Sequence, residues 1–157
     1  MVWQDSANQK PRLRPLPDAA LPLSPSPQFA ILQHRQNHYT HWDLLLELPA
    51  RELLATFRVD QPPHTWATVE VVPVQALPDH RRIYLDYQGP ISGNRGTVIR
   101  CDRGTLRLLH YTTTHMAVEI AGALLRGRLN LRADDSAPNL WSLHWSPEKP
   151  PQPPPAP

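Results

Sequence analysis

Cys101 is the only cysteine in the chain. No intrachain disulfide is possible, no Cys-x-x-Cys redox or zinc motif exists, and the expected compartment is the reducing cytoplasm. No Gly-x-Ser-x-Gly elbow marks a serine nucleophile. Apolar runs fall short of the roughly 18 residues that a membrane-spanning helix needs, and the N-terminus lacks a charged stretch followed by an apolar one, so neither a membrane span nor a secretory signal is expected. The net charge is only +2, too small to argue for nucleic acid by itself. Lysine is nearly absent after Arg35, where Lys149 is the sole example, and nine arginines lie between Arg81 and Arg132. Arginine's planar fork suits bidentate phosphate contacts better than lysine does. Solvated strand faces are the competing reading.

Proline is what the chain has in excess, at 20 of 157 residues. Six prolines lie in residues 11–28 and seven in residues 147–157. A Pro-rich leader (1–28) and a Pro-rich tail (147–157) are therefore expected to be extended and polyproline-like, flanking one domain over 29–146. That domain reads as short strands at 29–33, 41–47, 53–59, 66–72, 82–87, 97–101, 105–111, 116–120, 125–131 and 141–145, each apolar or alternating. Turn signals separate them at Pro62-Pro63, Pro78-Asp79, Ser92-Gly93-Asn94, Asp102-Arg103-Gly104 and Asp134-Asp135. No segment holds a helical period over about 11 residues, although residues 49–56 have room for one helical turn. The fold class is mostly β: a small antiparallel barrel or sandwich.

The chemistry concentrates in His34-Arg-Gln-Asn-His-Tyr-Thr-His41-Trp-Asp43-Leu-Leu-Leu-Glu47. In a strand, His41 and Asp43 share a face. An imidazole and a carboxylate among leucines must be hydrogen-bonded or hold a metal. His34 or His38 would bring a third ligand, and two histidines with one carboxylate suit a divalent cation with open positions. A half-buried, hydrogen-bonded histidine is the plainer alternative. A third reading uses His41 and Asp43 with His110 or His115 as the facial triad of an Fe(II) oxygenase.

Further on come Asp79-His80 and Tyr84, then Tyr87-Gln88-Gly89, Gly93 to Val98, Cys101 to Leu106, Leu125 to Leu131 and Trp141 to Leu143. In this order, with FAILQH (29–34) and HWDLLLE (41–47), these segments resemble the 3′-phosphoesterase module of bacterial DNA ligase D and its stand-alone relatives. The resemblance covers about residues 29–146. It implies a small β-barrel and a manganese ion, with zinc the alternative, held by His34, His41 and Asp43. It further implies phosphate contacts from His80 and Tyr84, and removal of 3′-terminal ribonucleotides or 3′-phosphates in DNA repair. The implied partners are nucleic-acid 3′ ends and a separate DNA ligase. The chain departs from the family pattern where Leu45 replaces an arginine, Gln61 a lysine, Val72 an arginine and Leu32 a glutamine. His34 and His41 are also one residue further apart than usual, so the loop between them is expected to bulge. Arg58, Arg95 and Arg103 are the candidates to replace the missing phosphate contacts. A non-catalytic module that binds nucleic-acid ends or a repair partner is the alternative function.

Overall fold

The structure is a computed structural model that describes Leu13, residues 26–137, residues 139–149, Pro155 and Ala156. Most of the expected leader and tail lies outside the described residues. Nine strands form one antiparallel sheet: β1 (Gln28–Gln36), β2 (Tyr39–Leu46), β3 (Leu54–Val59), β4 (Val72–His80), β5 (Gly89–Pro90), β6 (Thr97–Tyr111), β7 (His115–Gly122), β8 (Arg126–Ala133) and β9 (Leu140–Pro147). Their order is β1-β2-β3-β4-β9-β8-β7-β6, and β6 pairs back onto β1, so the hydrogen-bonded ring closes in a barrel-like way. Closure removes exposed sheet edges. The short β5 flanks β6.

Alternation decides what fills the ring. Phe29 and Ile31, Leu44 and Leu46, Phe57 and Val59, Val118 and Ile120, Leu129 and Leu131, and Trp141 and Leu143 all point inward and make the main core. Leu13 joins that core, and its N–H donates to the Thr113 carbonyl at 3.1 Å, anchoring the leader at one point. The outer faces of β1, β2, β3 and the start of β6 are covered as well. Ala30, Leu32, Leu45, Leu54 and Val98 meet Tyr84, Leu85, Tyr87 and Ile91 from the segment 81–96 in a second, smaller core. This explains why the middle of β1 is buried on both faces.

Several expected elements differ. Residues 66–72 form no strand over most of their length. Pro62-Pro63 opens a 3-10 turn (Pro63–Thr68) that drops Trp66 into the core, where its Nε1 donates to the Gln61 carbonyl at 3.0 Å. Residues 82–87 begin as a 3-10 turn (Arg82–Leu85), while β4 runs over the proline-bearing Val72–His80 instead and takes up Pro78-Asp79, which were expected to form a turn. The Asp102-Arg103-Gly104 turn signal is absorbed into one 15-residue β6. There, Asp102 faces away from any turn of its own and accepts the N–H groups of Leu124 and Leu125 at 3.1 and 2.9 Å. A Cβ at Gly104 would run into the Ala121 carbonyl, so glycine lets β7 close on β6. No helical turn forms over 49–56, where β3 begins at Leu54. Among the described residues, no helix is long and apolar enough to cross a membrane.

Candidate metal centre

The β1–β2 hairpin turns on only Asn37 and His38, with Asn37 at φ 54°. The ladder runs without a bulge from Gln36↔Tyr39 to Phe29↔Leu46, and it makes His34 and His41 direct cross-strand partners. The extra spacing between the two histidines thus lengthens the ladder and makes no bulged loop. His38 is exposed in the turn.

His34, His41 and Asp43 meet on the outer face, beside the small core and outside the barrel interior. One ligand atom from each lies within 4.8 Å of the others, and the two imidazole centroids are 4.6 Å apart. His34 Nε2 is 2.6 Å from the Arg95 carbonyl oxygen. A nitrogen against a carbonyl must carry the proton, so in the neutral ring Nδ1 keeps its lone pair. That Nδ1 faces Asp43 Oδ2 at 3.5 Å. On the other side, His41 Nε2 stands 3.1 Å from Asp43 Oδ1, yet this buried oxygen has no partner with hydrogen-bond geometry. Electron pairs therefore converge, and a proton or a cation must lie between them. The donor set, two imidazole nitrogens and a carboxylate with a backbone carbonyl fixing one tautomer, fits a divalent metal.

The electrostatics agree. Burial, the largest influence on Asp43, opposes its ionisation, but the neighbouring His34 and His41 and the positive charge of His41 and His80 prevail and hold its pKa at about 2. The Asp43 carboxylate is the chief cause that raises the His34 pKa above 6.5 against the effect of burial.

Other predicted residues gather unevenly around this centre. His80 ends β4 opposite Leu54, and its Nδ1 is 2.9 Å from the Pro78 carbonyl, leaving Nε2 available. Its ring meets Tyr84 edge-on at 5.8 Å, and Arg81 lies over the other ring at 5.9 Å. Arg58 is the β3 partner of Asp43 on the same face, with its Nε 3.0 Å from Asp60. Arg95 contributes its carbonyl to His34, but its guanidinium folds back on Ser92. Arg103 stands opposite Ala30, four residues along β1 from His34. Its guanidinium is taken up by Gln28, Asp86 and the Leu85 carbonyl, so it holds the 81–96 segment in place. The oxygenase arrangement does not assemble: His110 and His115 lie against each other at 4.5 Å on β6 and β7, with His115 Nε2 3.5 Å from Asn130.

Two features escaped sequence reasoning. Arg82 bonds the buried Glu47 carboxylate, the Glu52 carbonyl (3.0 Å) and the Arg51 carbonyl (2.6 Å), pinning the segment that carries Tyr84. Arg100 pairs Leu32, itself the partner of Asp43, and so adds a second arginine to the row that contains Arg58. The i, i+2 spacing of Val98 and Arg100, which share a strand face, was the available signal. A bulge at Ile31/Leu32 sets that face, and only pairing reveals it. Comparison with family models and with curated proteins finds no match to this chain.

Proposed function

We propose that this chain is a metal-dependent phosphoesterase acting on nucleic-acid 3′ ends, a stand-alone relative of the 3′-phosphoesterase module of DNA ligase D. It would remove 3′-terminal ribonucleotides or 3′-phosphates during DNA repair in the cytoplasm, leaving ends for a separate ligase. The observation that carries this reading is the gathering of one ligand atom each from His34, His41 and Asp43 within 4.8 Å of one another, around a buried carboxylate oxygen that makes no well-formed hydrogen bond.

His34, His41 and Asp43 would hold a divalent cation, manganese by resemblance or zinc by ligand type, which when bound would supply Lewis-acid polarisation of a phosphoryl oxygen. The Arg95 carbonyl keeps His34 in the tautomer that exposes Nδ1. Hydrolysis adds water across the P–O bond, and the leaving oxygen takes up a proton. His80 is the candidate donor: with Nδ1–H turned to the Pro78 carbonyl, Nε2 carries a proton to give only when the ring is doubly protonated, and His80 then acts as an imidazolium acid. Tyr84, held against His80 and Arg81, donates a hydrogen bond to a phosphoryl oxygen, and Arg58 adds fixed positive charge.

The non-catalytic reading is favoured by one observation: the guanidiniums of Arg95 and Arg103 are both engaged within the protein. A primer-trimming assay separates the two. Labelled primer–templates ending in a 3′-ribonucleotide or a 3′-phosphate are incubated with Mn²⁺ and wild type, His41→Ala or His80→Ala. Shortening or dephosphorylation by wild type, lost in both variants, is expected. No product from a wild type that still binds metal would leave only the binding role.

A further inference from the structure

The face that carries the triad continues outward past His41 to Tyr39. Tyr39 alternates with His41 and Asp43 along β2 and pairs Gln36 at the hairpin end, so it lies about 7 Å from His41 on the same side of the sheet. It is 72% exposed. Every other described Trp, Tyr and Phe is buried or half-buried in one of the two cores or at their edges. The fold gives Tyr39 no packing role. Along this face the order is an aromatic plane at Tyr39, the metal ligands His34 and His41, then Asp43 beside Arg58. A phosphoester at the ligands would thus have a guanidinium on one side and an open ring on the other. Nucleobases stack on such rings whatever their identity, because each offers a π-face.

We propose that Tyr39 is the stacking platform for the terminal base of the nucleic-acid end whose phosphoester occupies the His34–His41–Asp43 centre. The chain would then require a base on the last sugar while reading no sequence. This inference rests on the phosphoesterase reading and adds the feature by which that site selects substrate.

The test is a binding titration with the full chain and Mn²⁺, using primer–templates whose 3′-terminal nucleotide carries 2-aminopurine or is abasic. Wild type should bind the base-bearing end about 5- to 20-fold more tightly, the lower part of the range for one stacked base. Tyr39→Ala should abolish that difference and the quenching of 2-aminopurine, while Tyr39→Phe should preserve both. A preference that survives in Tyr39→Ala, or that is missing from wild type, would overturn the proposal. If His41→Ala still removes Mn²⁺-dependent end binding in that event, the phosphoesterase reading stands without the platform. Absence of any end binding by wild type overturns both.

Discussion

Replacing Asp43 by asparagine isolates the electrostatics of the centre. The ordinary carboxyl value is 3.8, and in the fold it falls to about 2. This corresponds to about 2 kcal/mol of stability. Because the folded value is depressed, that stability is fully present above pH 3.8 and is lost as pH falls through about 2. The amide of the variant has nothing to titrate. His34, whose own pKa is raised, stays protonated in both proteins at acid pH. The difference in unfolding free energy between wild type and Asp43→Asn should therefore shrink by about 2 kcal/mol between roughly pH 5 and pH 2. Urea unfolding in the presence of a chelator, followed by circular dichroism at several pH values, measures it. A difference that stays constant across that range would refute the reasoning. At neutral pH, added Mn²⁺ should stabilise wild type and leave the variant unchanged.

Three further outcomes are expected. Arg82→Met strips the buried Glu47 carboxylate of its cation. Since Arg82 is nearly half-exposed, a loss of about 2–3 kcal/mol is expected, with faster hydrogen exchange confined to residues 81–96; exchange unchanged there would contradict the anchoring role. Gly96→Ala meets both a positive φ of 93° and the Arg35 carbonyl, which should lower stability by roughly 2–5 kcal/mol and disturb the neighbouring Arg95–His34 contact. Calorimetric Mn²⁺ titrations should show affinity rising with pH through the elevated His34 pKa and then levelling, because the metal displaces the Nδ1 proton. The stability that this proton gives the metal-free protein is present below pH 6.5 and lost as pH rises past the folded value.

Much of the fold was legible because period-two alternation is strong in β8 and β9, where one face fills the barrel, and because short continuous apolar runs mark β1 and β2, which are covered on both faces. The errors have local causes. Trp66 reads as strand by propensity, but it is pulled inward at a proline-opened turn. Asp102 and Gly104 read as a turn, yet one caps a distant loop and the other admits a neighbouring strand. The triad was legible from the i, i+2 spacing of His41 and Asp43. That His34 completes it depends on cross-strand register. The carbonyl that fixes its tautomer comes from a residue 61 positions away, which no local pattern encodes. The same limit applies to the arginines. Type and sequence position nominated Arg103, whereas its partners Gln28 and Asp86 become visible only in three dimensions.

The measurement that bears most directly on the centre is a Mn²⁺ titration followed by electron paramagnetic resonance. It should be run on wild type and on His34→Ala, His41→Ala, Asp43→Asn and His38→Ala, each checked for folding by circular dichroism. One bound ion per chain in wild type and His38→Ala, lost in each of the other three, is the expected result. Undiminished binding in any triad variant, or loss in His38→Ala alone, would contradict the assignment of His34, His41 and Asp43 as the metal ligands.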